Sequence, residues 1–149
     1  MIKSLTVYSR CWIHNENFLI QHLQLLYMDF KTLSIIIPAY NEENTIHFIL
    51  DKVKAVKLDG GLQKQLIIVN DCSSDDTKGA VDKYMAANTE LDITYYEHEV
   101  NKGKGAALHT GINNLTGGIV IIQDADLEYN PKEYPALLEP IIEGKADVV

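Results

Sequence analysis

The chain has 149 residues, 46% of them hydrophobic and 23% charged, which fits one globular domain with a sizeable core and excludes disordered and fibrous classes. A formal net charge of -8 excludes a protein that holds nucleic acid by neutralising phosphates, so no nucleic-acid partner is expected. The one arginine, Arg10, stands outside the patterned region, so any bound phosphate must rely on a few lysines, on backbone amides or on a metal.

Cys11 and Cys72 have neither metal-type spacing nor further cysteine partners, so neither a zinc site nor a disulfide framework is expected, and a reducing cytoplasm is the expected compartment. No apolar run reaches the roughly 18 residues that a membrane-spanning helix requires, and the N-terminus lacks a signal-peptide pattern. Residues 1–31 show no strand-turn-helix rhythm. Phe18, Leu19, Leu23, Leu26 and Tyr27 fit one stripe of a short accessory helix, or else the segment is a misassigned start with Met28 opening the protein. It stays unassigned, and the domain is placed at 32–149.

Beyond it the pattern is regular. Leu33-Ser34-Ile35-Ile36-Ile37 reads as a buried strand stopped by Pro38. A helix follows, with Asn41 or Asn44 as its cap and Ile46, Ile49, Leu50, Val53 and Val56 on one apolar face, and Gly60-Gly61 ends the unit. Leu66-Ile67-Ile68-Val69 is a second buried strand that runs into the polar cluster 70–76, with a helix carrying Val81, Tyr84 and Met85 behind it. Ile93-Thr94-Tyr95-Tyr96 is a third strand. Then come the glycine-punctuated segment 101–105, a helix from about Ala106 to Leu115, a fourth strand Ile119-Val120-Ile121-Ile122, and a helix opened by Pro131. Ala146-Asp147-Val148-Val149 reads as a strand just begun, so the chain is expected to be C-terminally incomplete.

Short β-rich runs alternating with helices predict an α/β sheet, mostly parallel, with helices on both faces. Ligands of such sheets bind beyond the carboxyl ends of the strands, so residues 38–43, 70–76, 101–105 and 123–126 should converge on one crevice.

Asp124 and Asp126 follow a strand at positions that face the same way in extended chain. Such hard oxygen ligands suit Mg²⁺ or Mn²⁺ held jointly with a substrate diphosphate; the plainer reading is a solvated acidic turn. Asp75 or Asp76 suits helix capping, whereas Asp71, next to the strand end, suits a nucleobase or ribose. Gly103 and Gly105 permit close backbone approach and Lys102 or Lys104 can place charge near a phosphate, which fits a ligand loop or an ordinary helix entry. The histidines are scattered singly, and His109 reads as a surface or core residue.

Taken together, Ser34-Ile35-Ile36-Ile37-Pro38-Ala39-Tyr40-Asn41-Glu42-Glu43, Val69-Asn70-Asp71-Cys72-Ser73-Ser74-Asp75-Asp76-Thr77, Asn101-Lys102-Gly103-Lys104-Gly105-Ala106-Ala107 and Gln123-Asp124-Ala125-Asp126-Leu127-Glu128 resemble the family 2 glycosyltransferases, above all those that act on dolichyl and other polyprenyl phosphates. The resemblance implies a GT-A fold and an inverting transfer of a sugar from a nucleoside-diphosphate sugar, GDP-mannose or a UDP-sugar, to an acceptor such as a polyprenyl phosphate or a saccharide. It implies a nucleotide pocket lined by Pro38, Tyr40, Glu42 and Asp71 with the backbone near Val69 beside them, and with Lys104, Asp124 and Ala125. It also implies a metal held by Asp124 and Asp126, with Glu128 as a further ligand. The family's acceptor loop and catalytic base lie downstream of the matched motifs, so no base is named. A lipid-linked acceptor would bring the chain to a membrane surface as a peripheral protein. The alternative is a nucleotide-sugar-binding module without catalytic activity. A nucleotidyltransferase is disfavoured because no arginine is available for a basic triphosphate loop.

Overall fold

The apolar runs become strands because their alternate side chains find two different layers to bury in. The computed structural model describes residues 7–9 and 31–149. Its elements, in chain order, are β1 (Val7–Ser9), β2 (Thr32–Ala39), α1 (Ile46–Ala55), β3 (Gln63–Asn70), α2 (Thr77–Ala87), β4 (Asp92–Glu97), α3 (Lys104–Asn113), β5 (Ile119–Ile122) and α4 (Tyr134–Ile142), with short 3-10 turns at Asp59–Gly61 and Pro131–Glu133. The strand order is β1-β5-β2-β3-β4. All pairs are parallel except β1 with β5, which is antiparallel.

Side chains of a strand alternate between faces, and both faces here are apolar. Leu33, Ile35, Ile37, Leu66, Ile68, Ile119 and Ile121 pack on one side with α1, α2 and α4 residues such as Leu50, Val81 and Tyr134. Ile36, Ile67, Val69 and Val120 pack on the other with Ala107 of α3. The doubly covered, mostly parallel sheet is therefore as expected. Full burial of each isoleucine contributes on the order of 1.5–3 kcal/mol, which is why no polar residue interrupts these runs without a partner. Ser34 does interrupt one, and its hydroxyl donates to Gln65 Oε1 at 2.6 Å while accepting from the Gly117 amide.

The structure departs from the sequence reading at several ends. Residues Val7–Ser9, left unassigned above, form the edge strand β1, too short for any periodicity to show. The stripe proposed for residues 18–27 lies outside the described residues. Helix α1 is not capped by Asn41 or Asn44: Thr45 stands at its N-cap, and its hydroxyl hydrogen-bonds the Glu42 carboxylate instead of a helix amide. Pro131 opens a 3-10 turn, and α4 itself starts at Tyr134. The 146–149 run forms no strand; only Val148 is bridged, since β-branched residues make a strand only where a neighbour offers a ladder.

Candidate functional site

The chain runs β2, β3, β4 outward in one direction and then returns through α3 to place β5 on the other side of β2. That reversal leaves a gap between the carboxyl ends of β2 and β5, where α/β sheets bind ligands. A cavity of about 380 Å³ lies there.

One wall is made by the loops after β2 and β3, which are laced together by side chains. The Asn41 amide donates to Ser73 Oγ at 2.9 Å, and Asn41 Oδ1 accepts from the Ser74 amide at 2.8 Å. The Glu42 amide donates to Thr77 Oγ1 at 2.8 Å. The Glu43 amide donates to Asp75 Oδ2 at 3.1 Å, and Glu43 Oε2 accepts from the Asp76 amide at 2.8 Å. Asn41 and Cys72 both adopt left-handed backbone, φ 58° and 57°, to let the loops meet. Of the two capping candidates, Asp75 is the one whose side chain accepts the Thr77 amide; Asp76 stands at the N-cap position without such a bond. Burial pushes the Asp75 carboxyl up, but hydrogen bonds from the Thr77 hydroxyl, the Glu43 amide and the Thr77 amide outweigh it and leave its pKa lowered. The lacing fixes Tyr40 and Glu42 at the cavity.

Asp71, at the end of β3, is 3% exposed. Its carboxylate accepts from the amides of Lys102 at 2.9 Å and Gly103 at 2.6 Å, and from His98 Nδ1 at 2.7 Å. Burial alone would raise its pKa; the Lys102 amide, the His98 ring and the Gly103 amide reverse this and hold it low. Glycine is required at 103, where φ is 83° just before α3 begins. The glycine segment is thus both a helix entry and part of the cavity wall, two roles the sequence left open.

On the opposite wall the carboxylates stand beyond the strand. The chain leaves β5 at Ile122 and turns at 125–127, with Leu127 at φ 65°, so Asp124 and Asp126 converge by a turn and not by extended alternation. Buried Gln123 holds that turn: its Nε2 donates to the carbonyls of Asp124 and Tyr129, while its Oε1 accepts from the Tyr134 hydroxyl at 2.7 Å. The Lys104 ammonium lies 2.6 and 2.8 Å from the two Asp124 oxygens, and Asp126 Oδ1 accepts from the Glu128 amide.

Pro38, Tyr40, Glu42, Asp71, Lys104, Asp124, Ala125 and Asp126 therefore line one cavity, joined by Ala39, Asn101, Gly103 and Ala107. Val69 and Glu128 are not in that lining: the Val69 side chain is buried in the core under α3, and Glu128 lies on the exposed turn. Among the described residues no three His, Cys, Asp or Glu side chains form a ready metal cage. His98 was missed, because its partner Asp71 is 27 residues away and nothing local marks the pair.

The cavity lies at the switch point of an α/β sheet, where such folds bind ligands, and known proteins resemble this chain in fold and sequence. The model of the family described as Glycosyl transferase family 2 matches residues 34–149. The undecaprenyl-phosphate 4-deoxy-4-formamido-L-arabinose transferase of Klebsiella pneumoniae is 30% identical over 120 residues, which is 80% of this chain and 36% of that protein. A mannosyltransferase from Pyrobaculum calidifontis, solved with GDP-Man and Mn²⁺, is 30% identical with a TM-score of 0.59, over 69% of this chain and 29% of that one. TarS 1-349 of S. aureus, solved with UDP-GlcNAc, is 27% identical with a TM-score of 0.62, over 76% of this chain and 31% of that one. The chain belongs to glycosyl transferase family 2 and carries its GT-A fold. It spans about a third of the length of these relatives.

Proposed function

We propose that residues 32–149 are the nucleotide-sugar-binding portion of a glycosyltransferase that moves a sugar from GDP-mannose or a UDP-sugar to a polyprenyl phosphate or saccharide, with inversion at the anomeric carbon. The observation that carries this reading is the single cavity lined by Asp124 and Asp126 on one wall and by Asp71, Gly103 and Lys104 on the other. The relatives' substrates support it: a polyprenyl phosphate for the Klebsiella enzyme, GDP-Man and UDP-GlcNAc in the two solved structures.

A divalent metal, Mg²⁺ or Mn²⁺, fits the donor set. The carboxylates are hard oxygen ligands, and the Lys104 ammonium already seated on both oxygens of Asp124 is a stand-in cation. Asp124 and Asp126, which both line the cavity, would hold the metal. When bound, such an ion neutralises charge on a departing diphosphate. The chain's own residues bind and orient. Tyr40 and Glu42 face the nucleoside end, and the Asp71-held loop brings Gly103 and Lys104 toward the phosphates. In the transfer, an acceptor oxygen bonds to the anomeric carbon as the bond from that carbon to the diphosphate oxygen breaks on the opposite face. A hydroxyl acceptor would give its proton to a base. A lipid-linked acceptor would be met at a membrane surface; among the described residues no helix is long and apolar enough to cross a membrane.

The test is nucleotide affinity by calorimetry, GDP and UDP each with Mn²⁺, with Mg²⁺ and with chelator. An acidic cavity repels an unaccompanied diphosphate, so binding is expected to weaken at least about tenfold in chelator. Equal affinity with and without metal would overturn the reading.

A further inference from the structure

His98 is buried, uses both ring nitrogens, and does not line the cavity. It lies one residue past β4, and its backbone amide donates to the Asn70 carbonyl at 2.9 Å, as the Asp71 amide donates to the Ala39 carbonyl at 2.9 Å. The ladder thus continues past the ends of β2, β3 and β4, and the ring stands on a rigid base. Its Nδ1 lies 2.7 Å from Asp71 Oδ1 and its Nε2 lies 2.8 Å from Thr110 Oγ1 on α3. An ionised carboxylate only accepts, so Nδ1 donates, and in the neutral ring Nε2 accepts from the Thr110 hydroxyl. The chain of bonds runs from α3 through the imidazole to the carboxylate that holds the amides of Lys102 and Gly103. With side chains only 7% and 4% exposed, His98 and Asp71 are closed to water that could replace either partner.

We propose that His98 is a positioning residue for the nucleotide pocket: it fixes the Asp71 carboxylate against the amides of Lys102 and Gly103, and so sets the loop that delivers Gly103 and Lys104 to the cavity. This rests on the proposed nucleotide reading for its functional consequence, but not for its effect on the loop. A histidine that merely filled the core would matter through its volume. A histidine that acts through Asp71 matters through its Nδ1 donor.

Asparagine places a donor where Nδ1 stands, and glutamine places one nearer Nε2, so the two variants separate these roles. GDP and UDP affinity with Mn²⁺ is measured by calorimetry for wild type, His98→Ala, His98→Asn and His98→Gln. Amide exchange of Lys102 and Gly103 is followed by NMR on the nucleotide-free chain. Loss of a hydrogen bond to a charged group should weaken binding by about tenfold or more in His98→Ala and His98→Gln and speed loop exchange by at least about tenfold. His98→Asn should stay within about threefold of wild type by both measures. In an Asp71→Asn background, His98→Ala should add less than about twofold, because the partner through which it acts is already changed. Equal impairment of the Asn and Gln variants, or full additivity with Asp71→Asn, would overturn the proposal. If His98→Ala does not fold, the comparison of Asn with Gln still decides. If wild type binds neither nucleotide, the proposed function falls and the exchange data stand alone. Faster Lys102 and Gly103 exchange in His98→Gln but not in His98→Asn then upholds His98's hold on the loop, and unchanged exchange in both removes it.

Discussion

Asp75 and Asp126 belong to the same acidic chain yet do different physical jobs. Asp75 accepts from Glu43, Thr77 and the Thr77 hydroxyl inside the loop lacing, whereas Asp126 accepts one amide and faces the cavity. Asp126→Asn should therefore weaken metal-dependent nucleotide binding by roughly 10–100-fold while leaving the urea midpoint near wild type. Asp75→Asn should instead cost about 1–3 kcal/mol of stability, with a smaller effect on metal dependence. Retention of full metal-dependent binding by both variants would show that the paired carboxylates are misassigned. The stability gap also carries a pH signature. The folded pKa values of Asp71 and Asp75 lie below the ordinary 3.8, so the unfolded chain takes up protons first as pH falls. Their contribution is complete above about pH 5, begins to fall as the unfolded carboxylates protonate, and is lost as pH drops through the folded values. Urea unfolding at pH 7, 4 and 3 should show the wild-type advantage over Asp75→Asn shrinking at the acid end. A gap that widens there would contradict this. From sequence Asp75 or Asp76 could be given to capping and Asp124 and Asp126 to a metal, but the distant bonds that hold Asp75 to the Glu43 amide and Asp71 to His98 could not be read, since those partners lie more than 25 residues away in the chain.

Helix α3 links the sheet to the cavity, because it starts at Lys104 and packs its middle on β2. Gly111 is what lets it sit so close. A Cβ there would meet Ile36 Cγ2 at 2.5 Å, with two more Ile36 carbons at 3.1 Å. Gly105, in the first turn of the same helix, has no such neighbour. Gly111→Ala is expected to lower stability by about 1–3 kcal/mol through overpacking and to loosen the loop that α3 carries. Gly105→Ala should be neutral or stabilising by up to about 1 kcal/mol, from helix propensity. Thermal unfolding of the two variants checks this, and equal midpoints would mean that α3 lifts off the sheet without cost. The helix was legible from its glycine-loop entry, but its start at Lys104 was not, because the loop's bond to Asp71 sets where helical turns begin.

At the scale of the whole molecule, a net charge of -8 surrounds a cavity read here as binding a diphosphate. A ligand bound by the native state alone adds RT ln(1 + [L]/Kd), about 2.7 kcal/mol at 100 times Kd. A thermal-shift panel of GDP, UDP and their sugars, each with Mn²⁺ and with chelator, should therefore raise the unfolding midpoint for one base only when metal is present. A shift of the same size with inorganic phosphate alone would point to anion binding without nucleotide recognition.

The order of strands and helices, the doubly apolar sheet and the four loops that meet at its carboxyl edge follow from local patterns, because period, turn residues and β-branched runs act over a few neighbours. Eight of the expected nucleotide residues and metal ligands line one cavity, seven of them at or just past the carboxyl ends of strands and Lys104 at the start of the helix that follows β4. The antiparallel β1, the 146–149 run that forms no strand, the burial of the Val69 side chain under α3 and the His98–Asp71–Thr110 chain were decided by tertiary structure alone. Each depends on which distant segment supplies a ladder, a covering helix or a hydrogen-bond partner. That information is a property of packing, which neighbours in sequence do not share.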